Sequence, residues 1–178
     1  YRQEFNRSIE PGLAGYPIKV GRVTTTPRAL SNDKLNLLRS ELKPGQALLV
    51  VSPRYSLSAD FRTFDSLSVV TIWFRPEVSD ARTPSHRGVL HYQSAPVGPG
   101  GKASLALWGD QEAAKFKEVM RESIAETIRM VMLDIDTPDA APTAKDDLKS
   151  YALNQACTNG EIKGKALKTE NGRTILIG

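Results

Sequence analysis

The chain has 178 residues, of which 40% are hydrophobic and 25% charged, and a formal net charge of +4. This composition excludes a wholly disordered or collagen-like chain, and the length suits one core that needs neither disulfides nor a structural metal. No run of about 18 apolar residues occurs, so no membrane-spanning helix is expected.

Residues 1–43 hold eight Lys and Arg against four acids, and the rest of the chain balances at sixteen of each. Without a dense cationic block, this basic quarter reads as solvated surface. The chain begins at Tyr1 rather than Met, which fits a processed or trimmed product.

Residues 1–15 are polar and then turn-rich (Glu10-Pro11-Gly12) and read as a flexible lead-in. Pro17 to Thr26 alternates apolar and polar residues, which predicts a strand. A helix follows over 31–43, with Ser31 as its cap and Leu35, Leu38 and Leu42 as one apolar stripe, stopped by Pro44-Gly45. Ala47 to Val51 is apolar on both faces and predicts an interior strand. Ser66 to Arg75 predicts a second strand, with Leu67 and Trp73 on one face and Ile72 and Phe74 on the other; Gly88 to Ser94 predicts a third. The short gaps between them imply antiparallel pairing.

Ala95 to Gly101 is dense in Gly and Pro and reads as a mobile loop, followed by a short strand over Ser104–Trp108. Asp110 is placed as the cap of the longest helix. Its apolar stripe of Phe116, Val119, Met120, Ile124, Ile128 and Val131, extended by Met132 and Ile135, is expected to lie across the sheet. A linker over 137–144 then separates the main domain, 16–136, from a small unit over 145–178, read as a helix from Asp146 to about Cys157 and a hairpin around Asn171-Gly172. The expected class is therefore α+β: a mainly antiparallel sheet with two helices on one face, plus a small C-terminal helix and β-hairpin.

Three short features of the sequence bear on chemistry. Leu133-Asp134-Ile135-Asp136-Thr137 resembles the aspartate motif of haloacid-dehalogenase-like phosphatases, but it follows helical periodicity and Pro138 breaks the pattern, so it reads as a helix end. Gly98-Pro99-Gly100-Gly101-Lys102 lacks the glycine spacing and the hydroxyl of a phosphate loop. His86 and His91 are the only histidines, and a catalytic zinc site needs about three protein ligands. No catalytic residue, cofactor or metal is therefore expected, and Cys157 is expected to be a partly buried packing thiol.

The segment 53–62 interleaves aromatic and basic residues, and Arg54, Tyr55, Phe61 and Arg62 are its candidate partner surface, because Arg and Tyr are favoured interface anchors. Four acids stand among the five arginines from Arg54 to Arg87, which leaves no phosphate track.

The order strand, helix, strand, strand, strand, long helix over Tyr16 to Asp136 resembles the α/β accessory domain of bacterial periplasmic and outer-membrane lipoproteins such as the TolB N-terminal domain. The texture of Ala47–Arg54 and Asp65–Phe74 is similar too. The resemblance implies a non-enzymatic envelope accessory or assembly protein, periplasmic or associated with the outer membrane and anchored through a lipidated cysteine before Tyr1. Its partners would be other envelope proteins or a second copy. The alternatives are a nucleic-acid-binding domain using the basic N-terminal region, and a hydrolase whose His91, Tyr92 or acids converge in a pocket; the alternative compartment is the cytoplasm.

Overall fold

The computed structural model describes residues 2–76, 84–136, 149–152, 161–170 and 173–177. Its elements in chain order are helix α1 (Arg2–Leu13), helix α2 (Asn32–Ser40), strands β1 (Ala47–Leu57), β2 (Phe64–Phe74) and β3 (His86–Gln93), helix α3 (Gly101–Asp136), and strands β4 (Lys149–Ala152), β5 (Glu161–Glu170) and β6 (Arg173–Ile177). One sheet has the order β1-β2-β3 and a second the order β4-β5-β6. The mixed α+β class is as expected.

Hydrogen bonds fix the first sheet as an antiparallel meander. The Arg75 amide donates to Gln46 O and the Ser58 amide to Thr63 O at the two ends of the β1–β2 pair, while the Ser85 amide donates to Ile72 O and the Ser94 amide to Phe64 O along β2–β3. β2 is thus central and β1 an edge strand of this sheet, which corrects the reading of Ala47–Val51 as interior. Apolar residues alternate with small or polar ones after Val51, and the strand runs on to Leu57.

The chain divides into two compact units: one comprises 1–55, 66–92 and 121–131, the other 56–65, 93–120 and 132–178. In the first, Leu42 and Trp73 form a buried pair with Leu35, Leu48 and Val50 packed against it. The Arg39 guanidinium lies over the Trp73 ring at 5.6 Å. On β2, Ser66, Ser68 and Val70 are also buried. Val70 and Trp73 are three residues apart in one strand, an odd separation, so both faces of β2 are covered at that end. Helix α2, through Leu35, covers the face that carries Trp73.

The expected flexible lead-in is helix α1. Pro11 lies inside its last turn, and what holds the helix is tertiary burial: Ile9 and Leu13 are buried, and Gly12 lies so close to Ile128 that a Cβ there would stand 3.1 Å from its side chain. Glu4 lies 3.5 Å from Arg7 and 4.0 Å from Arg121 of α3. The strand expected over Pro17–Thr26 is irregular. Its Ile18 amide donates locally to Tyr16 O, and the Ile18 side chain is half exposed. The cap on α2 is as expected, with the Lys34 amide donating to Ser31 Oγ at 3.3 Å.

In the second unit, Phe64 and Phe116 meet edge to face with centroids 5.6 Å apart, and Trp108 meets Phe116 likewise at 6.3 Å. α3 begins at Gly101, so Ser104–Trp108 is helical and not a strand. The helix is interrupted where Asp110 takes an extended conformation and Gln111, Glu112 and Ala113 have φ of 47°, 55° and 58°. Asp110 Oδ1 accepts from the Gln111 amide at 2.8 Å. Asp110 therefore marks the start of the long apolar segment, as expected, but through a left-handed turn rather than a regular cap. The predicted stripe is buried at Val119, Met120, Ile124, Ile128, Val131 and Met132, while Ile135 is exposed.

The helix expected from Asp146 is corrected over Lys149–Ala152, which is strand β4 paired antiparallel with β5. The rest of that segment, with Cys157, lies outside the described residues, as does the linker over 137–144. The expected hairpin is present: Glu170 pairs with Arg173 across Asn171-Gly172, and a bulge between Ala166 and Lys168 shifts the register. Among the described residues no helix is long and apolar enough to cross a membrane.

Candidate partner surface

Of the four residues expected to form a partner surface, Arg54 and Tyr55 are exposed neighbours on β1. Successive strand residues point to opposite faces, so these two cannot share a flat contact. Phe61 and Arg62 lie in the turn between β1 and β2, and that turn is dense with internal hydrogen bonds. Ser58 Oγ donates to Asp60 Oδ1 at 2.7 Å and accepts from the amides of Arg62 and Thr63 at 3.0 and 2.9 Å. Phe61 takes a positive φ of 59°. Its carbonyl accepts from Trp108 Nε1 at 2.6 Å.

The same turn holds the Gly- and Pro-rich segment 95–101, which is tied down where a mobile loop was expected. The Val97 amide donates to Arg62 O and the Gly101 amide to Asp60 O. Ser104 Oγ donates to Val97 O at 2.6 Å and accepts from the Gly100 amide at 2.8 Å. Gly98, at φ 70°, admits no side chain, since a Cβ would stand 2.7 Å from Leu107 and 2.8 Å from Ser104 Oγ. The Gly100 and Gly101 amides that a phosphate would need are thus used within the fold. The Ser58 hydroxyl, above all, holds the Asp60 carboxyl below the usual carboxylate range, helped by the Arg62 amide and guanidinium. Phe61 and Arg62 therefore serve chiefly as scaffold through their backbones.

A different surface emerges on the sheet of the first unit. The β1–β2 hydrogen bonds set residue 46 opposite 75 and 58 opposite 63, which puts Arg54 opposite Leu67. On the other side of β2, Gln93 Nε2 donates to Asp65 Oδ1 at 2.9 Å, which places Gln93 on the Leu67 face, and Val89 and His91, both exposed, follow it by alternation along β3. Arg54, Leu67, Val69, Val89, Arg87 and His91 consequently share the face that also carries Trp73. Near Trp73 this face is covered by Leu35 and Leu42. Farther along it is open: Leu67 is 42% and Val89 64% exposed. The strand residues of this face carry mixed charge: Arg54 and Arg87, and on β2 the carboxylate Asp65, which accepts from Gln93 Nε2 and Thr63 Oγ1. Its long apolar residues were visible as strand alternation, but their exposure depends on where the helices end, which alternation does not show.

His86 and His91 fall on opposite faces of β3, and Leu133–Asp136 is the last turn of α3 rather than a strand. Among the described residues no group of three His, Cys, Asp or Glu side chains could hold a metal ion. The chain matches no family model, no curated protein and no solved structure.

Proposed function

We propose that this chain is a non-enzymatic accessory module that works by binding another protein on the open sheet face around Leu67 and Val89. The observation that supports it is the exposure of these two aliphatic side chains, next to each other's strands, on a face that α2 covers only at its Trp73 end. An aliphatic strip inside a polar border of mixed charge has the anatomy of a contact surface, with an apolar centre to exclude water and a rim to orient the partner. Burying Leu67 and Val89 fully would contribute on the order of 1–3 kcal/mol each. Arg54 belongs to this surface; Tyr55 lies on the other face of β1, and Phe61 and Arg62 are held in the turn by their backbones. The envelope setting rests only on the similar texture of Ala47–Arg54 and Asp65–Phe74, since the strand expected before α2 is irregular.

The test is Leu67→Asp with Val89→Asp. Because both side chains already face solvent, the circular dichroism spectrum and melting temperature should stay within the range of the parent chain, while co-purification of its cellular partner is lost. Retained co-purification with a native spectrum would reject this face. Fractionation of the source cells addresses the compartment separately, and recovery in the cytoplasmic fraction would remove the envelope setting.

A further inference from the structure

We infer that residues 101–109 form a strap that opens and closes over the aromatic cluster of the second unit, with the left-handed turn at 111–113 as its strained hinge. Among the described residues, the non-glycine residues with positive φ are Phe61, Gln111, Glu112 and Ala113. All four flank one contact. Trp108, three residues before the turn, donates from Nε1 to the carbonyl of Phe61 at 2.6 Å and meets the Phe116 ring edge to face. Strain gathered on both sides of a single buried side chain, rather than scattered through the fold, is strain that the docking of this side chain sustains.

The sequence at the hinge favours another conformation. Asp110 is extended, with φ −63° and ψ 154°, as a helix N-cap is. Right-handed residues follow an N-cap, and Gln111, Glu112 and Ala113 suit them: all three are sound helix formers, with an acid in the first turn. Rewinding them would turn Asp110 into an ordinary cap and remove the left-handed strain, at the cost of the Trp108 contact. The front of the strap has hinges of its own in Gly98, Gly100 and Gly101, which are all at positive φ and change it at little cost. Between the hinges only Ser104 and Trp108 are buried, while Leu105 and Leu107 are nearly half exposed. Opening therefore releases few contacts. It uncovers the Phe61 carbonyl and the edge of Phe116, a cleft that the chain closes with its own indole.

The experiment follows the indole N–H of Trp108 by hydrogen exchange in the full chain, with the other tryptophan, Trp73, identified through Trp73→Phe. Local opening gives Trp108 a protection at least about tenfold below that of the Val119 and Met120 amides, and insensitive to low urea. Gln111→Gly relieves the left-handed hinge and should raise that protection about fivefold. Gln111→Pro acts in reverse. Proline cannot take a positive φ, but it fits the first position of a helix behind an extended residue, so it commits the hinge to the rewound form. In the Trp73→Phe background this variant should keep a cooperative melting transition while its Trp108 emission shifts to the red. Exchange of Trp108 in step with Val119, or a protection that Gln111→Gly leaves unchanged, would overturn the inference. So would a Gln111→Pro chain that fails to fold or that keeps Trp108 buried, since either result denies the turn a right-handed alternative.

Discussion

Two buried serines of β2 make the first test at the level of single residues. Ser66 Oγ and Ser68 Oγ are enclosed, and neither has a hydrogen-bond partner. An unsatisfied buried hydroxyl costs roughly 1–3 kcal/mol, more than the small void left by removing one oxygen. Ser66→Ala and Ser68→Ala should therefore each raise stability by about 1 kcal/mol, read as a higher urea midpoint at unchanged slope. A lower midpoint would mean that the hydroxyls are bonded after all. Asp60 makes a second test. Its carboxyl titrates below the unfolded value, so the stability it adds is complete above the unfolded pKa and is lost as pH falls through the folded one. Thermal melts of the parent chain and Asp60→Asn should differ at pH 7 and converge as the pH drops into the acid range. A difference that stays constant would dissociate Asp60 from the turn.

Elements carry their own test in the interruption of α3. Gln111, Glu112 and Ala113 occupy left-handed conformations that cost an L-residue roughly 1–2 kcal/mol each and glycine almost nothing. Gln111→Gly or Glu112→Gly should be stabilising by up to about 1 kcal/mol, opposite in sign to the effect of the same change inside a regular helix. Gly45→Ala, at φ 76° with open space around it, should be destabilising by a similar amount. Denaturant titration reads both signs. These contrasts show what was legible in the sequence. The stripe on α3, the Ser31 cap and the Asn171-Gly172 hairpin follow from local periodicity and turn chemistry, and all three were readable. Helix α1 was not, because Pro11-Gly12 spells a turn locally while Ile128 supplies its packing partner from far along the chain. Lys149–Ala152 likewise takes its conformation from pairing with β5. The candidate surface was legible only at Arg54, since what leaves Leu67 and Val89 uncovered is the limited reach of α2.

For the molecule as a whole, buried and exposed apolar positions should separate cleanly under the same substitution. Met120→Asp or Ile128→Asp places a carboxylate without a partner in a packed interior and costs several kcal/mol, enough to abolish cooperative folding in a domain of ordinary stability. Val89→Asp should leave the melting transition in place. An unchanged melting curve for both interior variants would show that the α3 stripe faces solvent.

The docking of α1 also has a consequence in time. The meander β1-β2-β3 pairs neighbours in sequence, but Gly12 and Glu4 find Ile128 and Arg121 more than a hundred residues later. During synthesis at ~5–20 residues per second, the apolar side of α1 waits on the order of ten seconds for its partner helix to emerge. Throughout that interval Ile9 and Leu13 are open to a chaperone, so α1 is a stretch through which the cell's folding machinery can hold the growing chain.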